Sequence, residues 1–191
     1  MTNSVGTTRP GKRERLVDSA GELLHRQGVE RSTLAEIAQA ADVPPGNVYY
    51  YFKTRDELVR AVIEARRAEI RGLLDSIDRR PAPRARLKAL VRSWDDVADL
   101  VAASGCPLGS LSSELNKHGD ALADEAAQLF HLVIDWASAQ FKALGRRDGR
   151  DLAITLFAGV QGAALLANTL RDPKVMSREV RRLERWIDSL E

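Results

Sequence analysis

Two capping-box signatures, Thr33 to Glu36 and Thr54 to Glu57, bracket a stretch that Pro44, Pro45 and Gly46 interrupt. Each sets a hydroxyl and a carboxylate three residues apart, the spacing that satisfies two orphan N–H groups at a helix start. A helix beginning near Thr33 therefore ends around Ala41, where Asp42 and Val43 make a tight connection. A second helix starts at Pro44 or Pro45, where a missing N–H costs nothing, and stops before Thr54 opens a third. Two short helices joined by a three- or four-residue turn fit a helix-turn-helix, whose second helix can enter the ~12 Å major groove of DNA.

Apolar residues recur at helical spacing along the rest of the chain. Leu16, Ala20, Leu23 and Leu24 mark a first helix from Lys12, stopped by Gly28. The Thr54 helix runs through Leu58, Val62 and Ile70 and stops before Pro81. A single helix is expected from Leu87 through Trp94 to Val101, broken by Gly105 to Pro107. Further helices follow through Leu108 and Leu115, from about Asp120 to Gly145, from Asp151 to Leu170, and through Val180 to Leu190. No β-strand or internal repeat is legible, so the expected class is all-α, with about nine helices. The organisation expected is an arm over residues 1–9, a three-helix DNA-binding head over 10–54 and an effector-binding and dimerisation body over 55–191.

A net charge of +2 across 191 residues does not by itself announce nucleic acid. Position does more: Arg9, Lys12, Arg13 and Arg15 make the start locally basic. Tyr49, Tyr50, Tyr51 and Phe52 are consecutive, and a helix this short cannot bury four rings in a row. Outward tyrosines would offer a ring to sugar or a thymine methyl and a hydroxyl to a phosphate. Asn47 can address an adenine edge, and Gly46 admits a close backbone approach. Arg55 sits in the first turn of its helix, unfavourable to the dipole unless a phosphate docks there. The plainer alternative is that the tyrosines are half-buried surface residues and Arg55 is simply solvated.

The segment resembles the TetR family of bacterial transcriptional repressors. The likeness is carried by Thr33, Ile37, Ala38, Ala41, Val43, Gly46, Tyr49, Tyr51, Phe52, Arg55, Asp56 and Leu58, within residues 12–63. It implies Thr33 on a phosphate, Gly46, Asn47 and Tyr51 near base edges, and Tyr50 and Arg55 on the backbone; beside these, Pro44, Tyr49 and Lys53 are candidates for the same DNA interface. Pro44 and Pro45 depart from the family pattern, which places hydrogen-bonding or charged residues there, so shape and phosphate contacts carry more weight. The resemblance also implies a homodimer on palindromic double-stranded operator DNA, joined by a four-helix bundle.

A lone short recognition helix reads too few base pairs, which also argues for a dimer. The expected interface lies on the last two helices: Phe157, Gly162, Ala163 and Ala167 on one, Leu183, Trp186, Ile187 and Leu190 on the other. The same residues would otherwise fill the core of one chain. For a small-molecule effector, Trp94, Cys106, Leu111, Leu115, Phe130, Ile134, Phe157 and Gln161 are the candidates to line a cavity. Cys106, the single cysteine, precedes Pro107 in a Ser-Gly-Cys-Pro-Leu-Gly segment loosely similar to an electrophile-sensing subgroup of the family. It is either a buried small hydrophobe or a reactive thiol.

No catalytic signature is present, and His25, His118 and His131 lack metal-ligand spacing, so neither enzyme activity, metal nor cofactor is expected. Neither a secretory leader nor a run of ~20 apolar residues is read, which leaves a cytoplasmic protein without membrane contact as the expectation. A ligand-independent architectural DNA-binding dimer is the competing class, distinguished by a body without a cavity.

Overall fold

The computed structural model of the chain describes residues 10–117, 119 and 121–190; the expected arm over residues 1–9 and the side chains of His118 and Asp120 lie outside them. Ten helices are present among the described residues, in two compact units that divide between Val62 and Ile63.

The first unit holds α1 (Lys12–Gln27), α2 (Leu34–Ala40), α3 (Pro45–Tyr51) and the start of α4 (Arg55–Asp78). Leu16, Ala20 and Leu24 of α1, spaced four apart, fall on one face and are buried with Ile37, Ala38, Val48, Phe52 and Leu58. Val59 and Val62 are buried too, so the first turns of α4 belong to this core. Gly28 closes α1 at φ 91, a conformation open to glycine, and its N–H donates to the Leu24 carbonyl at 3.0 Å.

The body holds the remainder of α4 with α5 (Pro83–Asp95), α6 (Ala98–Ser104), α7 (Pro107–Leu115), α8 (Ala121–Ala143), α9 (Gly149–Leu170) and α10 (Lys174–Ser189). The helices α8 and α9 pack along each other, α10 lies against α5 and α9, α6 against α9, and α7 against α8. Gly149 permits the α8–α9 approach: a Cβ there would stand 3.0 Å from the Ser138 carbonyl oxygen. The Arg84 guanidinium donates to the carbonyls of Ile187 and Leu190, satisfying acceptors at the end of α10 that have no partner within the helix.

The helix expected from Leu87 to Val101 is two helices. Asp96 caps α5 and Val97, at φ −116 and ψ 18, leaves helical geometry before α6 begins. No proline or glycine marks that break, which is why the apolar spacing reads straight through it. A second correction concerns α9, which is long and apolar enough to cross a bilayer by length and composition. Its inward face is nevertheless core: Ala153, Leu156, Phe157, Val160, Ala164 and Ala167 are buried in the body.

Candidate nucleic-acid interface and body cavities

The Thr33 capping box is complete: its hydroxyl accepts from the Glu36 N–H at 3.2 Å, and the Glu36 carboxylate accepts from the Thr33 N–H at 2.9 Å. The Thr33 backbone donor holds the Glu36 carboxyl below the usual carboxylate range, aided by the Thr33 hydroxyl. At the second box Thr54 accepts from the Glu57 N–H at 3.1 Å, but the Glu57 carboxylate reaches the N–H of Lys53 at 2.7 Å, one residue before the expected donor.

Between them, the turn Ala41 to Pro44 places Asp42 at φ 52. Arg15 clamps this turn, its Nε donating to the Ala41 carbonyl and its Nη2 to the Asp42 carbonyl, both at 2.9 Å. Helix α3 then buries Val48 and Phe52 and turns Tyr49 and Tyr50 outward, 59% and 76% exposed. Pro44, Gly46 and Lys53 share that exposed surface, whereas Asn47 and Tyr51 are half-buried. The Tyr50 and Tyr51 rings stand edge to face, 5.0 Å apart and 87° between planes.

Several cations of the head are engaged within it. Arg13 lies over the Phe52 ring at 5.2 Å, and Arg55 donates to the Ser32 carbonyl at 3.4 Å. Arg15 is the residue sequence reasoning missed: it counted as part of a basic stretch, and its acceptors lie too far along the chain for any local pattern to reveal them.

In the body, a cleft of about 410 Å³ is lined by Ile70 and Leu74 of α4, Leu90 and Trp94 of α5, and Cys106, Leu108 and Val133. A second, more polar cleft of about 350 Å³ includes Cys106, Ser110, Ser113, Gln161 and Asn168. The expected effector set is thus divided. Trp94 faces the first cleft, Gln161 the second, and Cys106 both. Leu111 and Leu115 are packed core, and with Phe130, Ile134 and Phe157 they line neither. The reason is steric: the Phe157 ring fills the space between Trp94, at 5.9 Å, and Phe130, at 5.2 Å. Cys106 is buried, and the Gln161 amide donates toward its sulfur at 3.5 Å.

The expected interface residues require correction as well. Phe157, Ala163, Ala167, Leu183 and Ile187 are buried within a single chain and cannot also meet a second copy. Trp186 packs on Phe141 at 5.9 Å, and Leu190, half-buried, accepts from Arg84. Only Gly162 of that set is exposed, with nothing within 4 Å of a Cβ built there. Around it the outward face of α9 carries Ile154, Leu165, Leu166 and Leu170, the last three 68%, 52% and 62% exposed. The i, i+4 row of Ile154, Ala158, Gly162, Leu166 and Leu170 was the available signal, hidden because α9 is apolar on more than one face.

Residues 16–62 match the pattern of bacterial regulatory proteins of the tetR family, and residues 83–181 that of the C-terminal domain of LmrA/YxaF-like transcriptional regulators. The transcriptional regulator AcuR of Cereibacter sphaeroides is 30% identical over 165 residues, covering 80% of this chain and 74% of its own. The crystal structure of a regulatory protein TetR from Rhodobacter sphaeroides superposes with a TM-score of 0.80 at 27% identity, over 91% of this chain and 97% of that one. A TetR transcriptional regulator from Legionella pneumophila shares the fold, with a TM-score of 0.84 at 19% identity over 95% and 98% of the two chains. With its helix-turn-helix head, its all-helical body and a relative this similar over most of its length, the chain belongs to the TetR family and is a DNA-binding transcriptional regulator.

Proposed function

We propose that the chain is a cytoplasmic, homodimeric repressor whose two heads occupy the half-sites of a palindromic operator and leave it when a small molecule enters the body. The observation that carries this reading is the cleft of about 410 Å³, apolar in lining and walled partly by Ile70 and Leu74 of α4. Its size suits a small organic ligand. The same helix begins in the head, where Leu58, Val59 and Val62 are core, so a ligand that displaces one end of α4 has a covalent route to the other. A ligand shifts the equilibrium only if it binds the releasing arrangement better, and a coupling of ~1–3 kcal/mol is typical.

Within this reading, Tyr50, Lys53, Arg55 and the helix start at Thr33 meet phosphates, and Pro44, Gly46, Asn47, Tyr49 and Tyr51 face or flank the base edges. The exposed Ile154, Leu165, Leu166 and Leu170 are the surface that a second copy would cover, since a bare aliphatic stripe of this kind is costly in water. A cleft in the body supports an effector-responsive protein over an architectural one, and the burial of Cys106 weighs against a freely reactive thiol.

The test starts from a compound found by thermal-shift screening of the full-length protein. Its affinity is then measured by calorimetry with and without a saturating operator duplex. Reciprocity requires the duplex to weaken ligand binding by the factor with which ligand weakens DNA binding. Equal affinities in both titrations would refute effector-driven release.

A further inference from the structure

The outward face of α3 offers unusually little to read base edges by hydrogen bonds. Its exposed residues are Pro45, Gly46, Tyr49 and Tyr50, flanked by Pro44 and Lys53. Positions 45 and 49 stand at i, i+4 spacing within the helix, as do 46 and 50, so these four form one surface. That surface is a proline ring, a bare glycine backbone and two aromatic rings. A Cβ built on Gly46 would meet nothing within 4 Å, so no neighbouring side chain fills the space. The Lys53 ammonium donates to the Tyr49 carbonyl at 3.0 Å and lies across the end of the helix. The Tyr50 ring is steadied by Tyr51.

Guanine is ordinarily read by Arg or Lys bidentate to O6 and N7, adenine by Asn or Gln on N6 and N7. Helix α3 contains no Arg, Lys or Gln. It holds one amide, Asn47, half-buried at the side of the exposed face. The major-groove group that suits a proline ring, a glycine backbone and a tyrosine ring is the C5 methyl of thymine, the apolar group among otherwise polar base edges. A G·C pair in the same place would press a cytosine amine and guanine acceptors against a surface whose side-chain polar atoms are the two tyrosine hydroxyls. Most of those base groups would lose their water without a partner, which is costly.

We propose that the head recognises an A·T-rich half-site by packing thymine methyl groups on Pro45, Gly46 and Tyr49, with Asn47 reading an adenine in the same tract. The inference rests on α3 being the helix that enters the major groove. It adds the chemistry of recognition: sequence is sensed through methyl groups, so binding distinguishes thymine from uracil.

Full-length protein is used to select duplexes from a randomised pool. The selected duplex is then rebuilt with each dT of the half-site replaced singly by dU, which removes one methyl group and leaves every hydrogen bond and phosphate in place. Two or more core positions should each lose about four-fold in affinity, the worth of one buried methyl group. The dependence on salt should not change, because no phosphate contact is lost. Tyr49→Ala, at an exposed position, should keep the melting temperature and abolish the dU penalty at the base it covers. A selected core of G·C pairs, or dU duplexes that all bind as tightly as the parent, would overturn the proposal. Retention of no duplex at all would instead overturn the entry of α3 into the groove.

Discussion

Head and body both leave apolar surface exposed, and the two surfaces differ in kind. On α3 the exposed side chains are Tyr49 and Tyr50, rings with a hydroxyl at the tip. On α9 the large apolar side chains left exposed are Ile154, Leu165, Leu166 and Leu170, none with a polar atom. A tyrosine can rest in water and later meet a wet, polar partner such as a DNA groove. Contiguous leucines gain only from a dry one. In the proposed reading, the polarity of the exposed side chain separates the nucleic-acid surface from the protein surface on the same molecule.

Substitutions at opposite faces of the α9–α10 pair test that distinction most severely. Leu183→Asp buries a charge in the core of one chain and should cost on the order of 4 kcal/mol, seen as loss of the cooperative thermal transition of the body. Leu165→Asp should leave that transition in place and give a monomer in sedimentation. Operator affinity should then fall by about two orders of magnitude, as the second head no longer binds intramolecularly. A dimer that survives Leu165→Asp would place the interface elsewhere.

Within the head the expected effects are smaller. Arg15→Met removes two charge-assisted bonds to the turn carbonyls and should destabilise the head by about 2 kcal/mol. Its operator affinity should recover on cooling, because the guanidinium supports the turn instead of touching a phosphate. Tyr50→Phe should leave the melting temperature unchanged and weaken operator binding about five-fold, the worth of one hydrogen bond to a phosphate. Unchanged affinity would remove the hydroxyl from the interface.

The smallest effect is a pH dependence at the Thr33 capping box. The Glu36 carboxyl is held below its ordinary value of 4.5 mainly by the Thr33 N–H. A folded-state value lowered in this way contributes stability that is full above the ordinary value and is lost as pH falls through the lowered one. The wild type should therefore exceed Glu36→Gln in head stability near neutral pH, and the gap should close on acidification. A constant gap across that range would mean that the carboxylate charge plays no part.

How far the sequence can be read differs between the same two regions. The boundaries of α2 and α3 were legible from Thr33, Glu36 and Pro45, and the shortness of α3 required some of its rings to point outward, without saying that these are Tyr49 and Tyr50. The site in the body was not. Trp94 and Cys106 reach its cleft, but Ile70 and Leu74 of α4 were not among the expected lining, and Phe157 proved to be filling in place of wall. Charge pattern misled in one respect, since Arg13 and Arg15 look like part of a DNA-facing basic stretch and are tied into the head itself.

Sequence alone determined where the helices of the head start and stop, that the fold is all-α, and that the head carries a helix-turn-helix. Those features depend on interactions within about four residues, such as caps, first-turn prolines and apolar spacing, which are written contiguously in the chain. Tertiary structure decided which face of α9 is core and which is exposed, that α5 and α6 separate at Val97, and what Arg15 is for. The first and the last turn on atoms distant in sequence: α6, α8 and α10 pack against α9, and the carbonyls that hold Arg15 belong to another helix's turn. Where a helix is apolar all round, its own spacing carries no direction, and packing against its neighbours supplies it.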